Sequence, residues 1–244
     1  MSGVGRTVLA MDVVLIAGFW LQGDSWSAVA PALREAGHTV HTPTLAGLHS
    51  VEEDRSEVTL ASQTAEVIAL LDALDPSRPV VLVGHSGGGA IIHGAVDARP
   101  NRVARAIYVD SGPTPDGVAI NEQLESVGSD VPLPPWDEFS DTDLRDLDDD
   151  LQERVRTAAI PEPARVARDP QRLSDAARYG VPITLISCTF SRDEIAEAIA
   201  AGVPYFAEVP LMLSSSIIEL PTGHWPQYTK PDELAAAILE AIGA

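Results

Sequence analysis

Val80-Val81-Leu82-Val83-Gly84-His85-Ser86-Gly87-Gly88-Gly89 decides how this chain reads. Val80 to Val83 are four consecutive apolar residues, the pattern of a buried strand. Ala90 to Ala98 has helical character. Between them, Gly84-His85-Ser86-Gly87-Gly88 fits G-x-S-x-G, and a strand, a sharp turn and a helix give that pattern a mechanical meaning. Such a turn holds its central serine tip outward in a strained backbone conformation. The positions two before and two after must be small, and they are Gly84 and Gly88. Ser86 is the candidate nucleophile.

The same alternation extends in both directions. Val13 to Ile16 predicts a strand ending at Ala17-Gly18, followed by a helix from Asp24 or Ser25 to about Ala36. His38 to Thr42 predicts a strand closed by Pro43. Thr59 to Leu74 carries Leu60, Val67, Ile68, Leu71 and Leu74 at helical spacing. Ala104 to Val109 predicts the fourth strand. Alternation then stops. Residues 113–179 are Pro-rich, hold an acidic run from Asp141 to Asp150, and show no convincing strand, with helical pieces expected at 141–159 and 170–179. Strands at 182–186 and 216–220, helices at 191–201 and 232–242, and a short helix near 205–211 complete the pattern. The expected fold is α/β: a parallel sheet covered on both faces, formed by 1–112 and 180–244, with a mostly helical insertion at 113–179 after the fourth strand. Ligands of such sheets sit beyond the carboxyl ends of the strands, where Gly18, Ser86, Asp110, Cys188 and His224 fall.

A length of 244 residues suits one large domain. The net charge of −20 argues against nucleic acid and anionic membrane surfaces as partners and does not favour a strongly anionic substrate. One cysteine, Cys188, rules out an intrachain disulfide and is compatible with a reducing compartment. Residues 1–10 read as a loose tail without the apolar core of a secretory signal, and no stretch approaches the roughly 20 apolar residues that span a bilayer. A soluble cytoplasmic protein, monomer or homodimer, acting on a small molecule is expected. No cofactor or metal site is expected, because the acidic run lacks liganding spacing.

A serine hydroxyl needs a base within reach, and the base needs a third group to set its tautomer. His224 follows the last strand in the loop Thr222-Gly223-His224-Trp225 and comes after the serine in the chain. The other histidines compete poorly as the base. His85 is the variable position of the serine turn and points away, His93 is packed on the serine helix, and His38 and His41 face opposite sides of one strand. His49 lies in a loop and remains open as a pocket residue. Backbone N–H groups of Gly87 and Phe19 are candidates for an oxyanion hole. Trp20, His85, Trp136 and Trp225 are candidate pocket-lining residues.

Val14 to Trp20, Ala36 to Val40, Val83 to Gly88 and Thr222 to His224 together resemble the α/β-hydrolase superfamily, within it the plant methylesterase and hydroxynitrile lyase-like branch and its bacterial relatives. The resemblance implies Ser86 as nucleophile, His224 as base and 113–179 as a lid. It also usually implies an acid after the penultimate strand, where this chain reads Cys188-Thr189-Phe190-Ser191-Arg192-Asp193-Glu194. Asp193 comes late, inside the next helix. Asp110, just past the fourth strand, is favoured, and Asp193 stays open. The leading reading is cleavage of a carboxylic ester or lactone through an acyl-enzyme. Two others remain: hydroxynitrile cleavage, which would need a basic residue near the serine, and a non-catalytic small-ligand binding protein on the same scaffold.

Overall fold

A computed structural model of the chain describes residues 10–243; most of the expected N-terminal tail lies outside them. The elements run β1 (Asp12–Ile16), α1 (Ala30–Glu35), β2 (Thr39–His41), α2 (Leu60–Ala73), β3 (Val80–His85), α3 (Gly87–Ala98) and β4 (Val103–Val109). They continue with β5 (Asp130–Val131), α4 (Asp149–Ala158), β6 (Glu162–Pro163), α5 (Ala164–Arg168) and β7 (Ile183–Ser187). The chain closes with α6 (Arg192–Ala200), β8 (Ser215–Glu219), α7 (Pro226–Thr229) and α8 (Pro231–Gly243). Six strands form one sheet in the order β2-β1-β3-β4-β7-β8, and every pairing in it is parallel.

Continuous apolar runs make central strands because both faces of the sheet are covered. Side chains alternate across the pleat. Val14, Ile16, Leu82, Tyr108 and Leu185 face one core with Leu60, Val67 and Leu71 of α2, Ile92 of α3 and Ile195 of α6. Val13, Leu15, Val81, Val83, Ile107 and Ile186 face the other, against Leu33 of α1 and Leu234 and Ile238 of α8. Each fully buried aliphatic side chain contributes about 1.5–3 kcal/mol, so the sheet centre is where the fold is most strongly determined. The edge strands β2 and β8 are half exposed.

The expected irregular regions differ from the structure in detail. The helix expected to start at 24 or 25 begins at Ala30, after a 3-10 turn over Gly23–Trp26. The acidic run is not one helix. Asp146 takes a positive φ of 63°, Asp148 caps the next turn by accepting the Leu151 N–H, and only Asp149–Ala158 is helical. The helix expected at 170–179 is a loop ending in a 3-10 turn. Gln171 there is drawn into the core, where its Nε2 donates to the Ala90 carbonyl at 2.7 Å. The segment between β4 and β7 does hold strands, the antiparallel pair β5–β6, but two residues each are too few to leave a periodic signal. The short helix near 205–211 is two 3-10 turns, each with a proline in its first two positions. No helix among the described residues is long and apolar enough to cross a membrane.

Candidate active site

Strands β1, β3, β4 and β7 are adjacent, so the turns after them meet at one edge of the sheet. Ser86 follows β3 and starts α3 with φ 50° and ψ −124°. This is a conformation that L-residues rarely adopt, and it is held from several sides. The Ser86 N–H donates to the Val109 carbonyl at 3.0 Å, and the Ser86 carbonyl accepts from Gly89 N and from Ser111 Oγ. The flanking glycines are sterically required. A Cβ on Gly84 would lie 2.5 Å from the Gly88 carbonyl oxygen, and one on Gly88 would lie 2.5 Å from that of Ala17. Gly18 is equally confined: a Cβ on it would lie 2.7 Å from His85 Nδ1 and 2.9 Å from Ser86 Cβ.

Ser86 Oγ is 2.8 Å from His224 Nε2, and His224 Nδ1 is 2.6 Å from Asp110 Oδ2. A carboxylate only accepts, so Nδ1 carries the hydrogen and Nε2 is free to take the serine proton. Asp110 ends β4 with φ 44° and is buried. Its Oδ1 accepts the Cys188 and Thr189 N–H groups at 3.0 and 2.9 Å and the Thr189 hydroxyl at 2.9 Å. Burial alone would raise this carboxyl, but the His224 hydrogen bond and charge, with those two N–H groups, hold it well below the usual range. Burial likewise pulls His224 down, and the hydrogen bond and charge of Asp110, with the charge of Asp143, outweigh it and raise its pKa above 6.5.

Asp193 lies in the exposed first turn of α6, within the Ser191–Glu194 capping box. The turn after β7, where the resemblance would seek an acid, supplies N–H donors to Asp110 instead. Strands β4 and β7 are neighbours about 4.8 Å apart, so an acid at the end of either approaches the same imidazole.

His85 lies beneath this centre. It is buried, its Nε2–H donates to the His224 carbonyl at 2.6 Å, and Gln227 Nε2 approaches its Nδ1 at 3.4 Å. Burial, helped by repulsion from His224, pushes its pKa down to about 3, so it stays neutral. The His224 loop is fixed on its other side by the segment before α4. His224 N donates to the Asp143 carbonyl, Gly223 N to the Arg145 carbonyl, and Thr222 Oγ1 to Asp146 Oδ2.

A cavity of about 290 Å³ opens beside Ser86. Phe19, Trp20, Gly87, Val118, Ile120, Leu124 and Phe139 form its apolar wall, and Ser111, Thr114, Asn121, Asp143 and Tyr205 are polar points on it. A Cβ on Gly87 would run into the Phe19 ring, which packs directly against the Gly87 backbone beside the serine. Of the four expected pocket residues, Trp20 lines this cavity and His85, Trp136 and Trp225 do not. The two tryptophans are spent on packing. Their rings meet edge to face at 5.4 Å and both rest on Phe139, which is the ring that reaches the cavity. His49 lies elsewhere, its N–H bonded to Glu53. Among the described residues, no group of three or more His, Cys, Asp or Glu is placed to hold a metal ion.

A family model described as the alpha/beta hydrolase family matches residues 13–237. The chain belongs to this family. Among curated relatives, a carbendazim hydrolyzing esterase of Nocardioides sp. (strain SG-4G) is 36% identical over 101 residues, 41% of each chain. Salicylic acid-binding protein 2 of Nicotiana tabacum is 34% identical over 100 residues, 39% of this chain and 37% of that one. The matched stretch thus spans less than half the length of these relatives. Among solved structures, an extracellular alpha/beta-hydrolase from a Paenibacillus species superposes with a TM-score of 0.76 at 23% identity, over 95% of this chain and 98% of that one.

Sequence reasoning missed several residues of this site. Thr189 and Ser111 are among them, because a threonine or serine in a turn carries no distinctive signal. Gln227 and the segment at 143–146 reach the site only through long-range contacts.

Proposed function

We propose that the chain is a serine hydrolase that cleaves the carboxylic ester of a small, uncharged molecule. The observation that carries this reading is the unbroken Ser86–His224–Asp110 hydrogen-bond chain at the mouth of the cavity. Ser86 Oγ attacks the ester carbonyl while His224 Nε2 takes its proton. The imidazolium then protonates the leaving alcohol, and the neutral imidazole afterwards activates water against the acyl-enzyme. Asp110 holds the imidazole tautomer and stabilises the imidazolium. The N–H groups of Gly87 and Phe19 receive the developing oxyanion. The segment 113–179 acts as a lid and supplies much of the cavity wall.

The cavity wall carries Asp143 and neither lysine nor arginine, which favours a neutral substrate over a carboxylate-bearing one. The esterase and methylesterase names among the relatives agree with ester chemistry. Hydroxynitrile cleavage is disfavoured because the single lysine, Lys230, is bonded to the Pro221 carbonyl and is not on the cavity wall. Fluorophosphonate labelling, compared with Ser86→Ala, tests the proposal. Labelling of wild type alone, with turnover of short p-nitrophenyl esters that Ser86→Ala lacks, is expected. A folded wild type that neither labels nor turns over would refute it and favour a binding role.

A further inference from the structure

Glu162, in the short strand β6, is buried at 1% exposure, and among the described residues no lysine or arginine is bonded to it. Its Oε2 accepts the Trp20 N–H at 3.2 Å. Trp20 is the third residue of Gly18-Phe19-Trp20, has φ 66°, and is held at two further points: its carbonyl accepts Ile160 N at 3.0 Å and its Nε1 donates to the Val131 carbonyl at 3.0 Å. Three hydrogen bonds from the segment between β4 and β7 thus fix the loop that follows β1, and one comes from a carboxyl.

The carboxyl's other neighbour is the Gln63 amide of α2. Gln63 Nε2 donates to the Ala46 carbonyl at 2.8 Å, which sets the amide orientation, since a carbonyl cannot receive an amide oxygen. Gln63 Oε1 is then a buried acceptor without a partner. Leaving such a group unpaired is costly, so a missing donor beside it is informative.

We propose that Glu162 is a protonated carboxylic acid that accepts the Trp20 N–H, donates its own O–H to Gln63 Oε1, and so positions the loop carrying the Phe19 N–H. Its catalytic consequence rests on the esterase reading above. Burial pushes the Glu162 carboxyl up to about 8, although the Trp20 N–H and the Arg55 charge favour the anion. Arg55 does not neutralise it: its guanidinium is bonded to the carbonyls of Gly47, Ser50, Val51 and Glu53 and lies 3.6 Å from Asp130 of β5. Among the described residues, Trp20, Gln63 and Arg55 bear on this carboxyl, and Asp130 pairs with Arg55.

Glu162→Gln reproduces the protonated acid, with a carbonyl for the Trp20 N–H and an amide N–H for Gln63 Oε1; Glu162→Leu reproduces neither. Three measurements test the assignment. In kinetics, Glu162→Gln is expected to keep wild-type kcat at neutral pH and to hold it above pH about 8, where wild type declines as the carboxyl ionises. Glu162→Leu is expected to lose up to ~100-fold in kcat with little change in KM, the scale of disturbing one oxyanion donor. In the infrared, wild type at neutral pH should show a protonated-carboxyl carbonyl band that Glu162→Gln lacks. In thermal unfolding, native Glu162 binds its proton between pH 4.5 and about 8 while the unfolded chain has lost it, so wild type should lose stability relative to Glu162→Gln across that window. A Glu162→Gln variant as impaired as Glu162→Leu, or the absence of both the band and the stability slope, would overturn the proposal. The last two readouts need no catalysis, so they stand apart from any failure of the esterase reading.

Discussion

His224 and His93 both sit beside carboxylates, as His41 does beside Asp12 at the sheet edge, and the first two are set up for opposite ends. His224 meets Asp110 at 2.6 Å at the end of the sheet, and its second nitrogen faces Ser86 and the cavity. His93, on α3, meets Glu208 at 3.4 Å, and its second nitrogen takes the Tyr108 hydroxyl at 2.8 Å inside the core. Glu208 spends its charge on Arg178, which also pairs with Asp97 at 3.2 Å. Asp110 has no such cation and is held by neutral N–H and hydroxyl donors. The outcome differs accordingly. His224 is raised because Asp110 outweighs burial, whereas His93 is lowered because burial outweighs a carboxylate already committed to arginine. A histidine next to a carboxylate is equipped as a base only when that carboxylate is free to serve it and the far nitrogen reaches a reacting atom.

The sharpest way to break this contrast is Asp110→Asn. A side-chain amide at this position favours the wrong imidazole tautomer, and kcat should fall about 10⁴-fold while the unfolding temperature stays close to wild type. Asp193→Asn should leave both unchanged. Wild-type turnover in Asp110→Asn would mean that the hydrogen-bond chain is not the engine.

The buried cluster should respond in stability and not in chemistry. Glu208→Ala removes the carboxylate shared by Arg178 and His93 and leaves Arg178 only Asp97 as a charged partner, and losing one partner of a buried pair costs about 3–5 kcal/mol. That corresponds to a drop of roughly 10 °C in unfolding temperature for a chain of this size. Turnover of the molecules that remain folded should be unaffected. Burial would raise Glu208, but His93 and Arg178 hold it down at about 2, so this contribution is present at neutral pH and fades only as pH falls from the ordinary carboxylate range toward 2.

The smallest effect separates the two imidazoles directly. In a proton NMR titration, His224 should titrate above 6.5 and His93 below it. Because His224 must be neutral to accept the serine proton, kcat/KM should rise with pH through its raised value. His93→Gln should leave that acid limb where it is. A limb that moves with His93 would erase the distinction.

Much of the sheet was legible in the chain because its strands are apolar on both faces and bounded by glycine and proline, and such runs declare themselves without knowledge of their neighbours. The segment 113–179 was not, because Gln171, Asp146 and the two-residue strands β5 and β6 take their conformations from distant partners. Asp110 was the favoured acid in the sequence, but Asp193 could be set aside only once β4 and β7 were seen as neighbours and Asp193 was found on the exposed turn of α6. Tryptophans misled for a related reason. Large rings near motifs suggest a pocket, but Trp136 and Trp225 sit one layer behind Phe139, and layering is a property of packing.

The sequence by itself determined the serine turn, the late histidine and the parallel α/β frame, since each depends on local sterics or on hydrophobic periodicity. Only the tertiary structure decided which carboxylate holds His224, which rings face the cavity and that Glu162 reaches the loop after β1. Those depend on which buried groups satisfy one another across the chain, and hydrogen bonds between residues 142 apart, such as Trp20 to Glu162, leave no trace in local sequence.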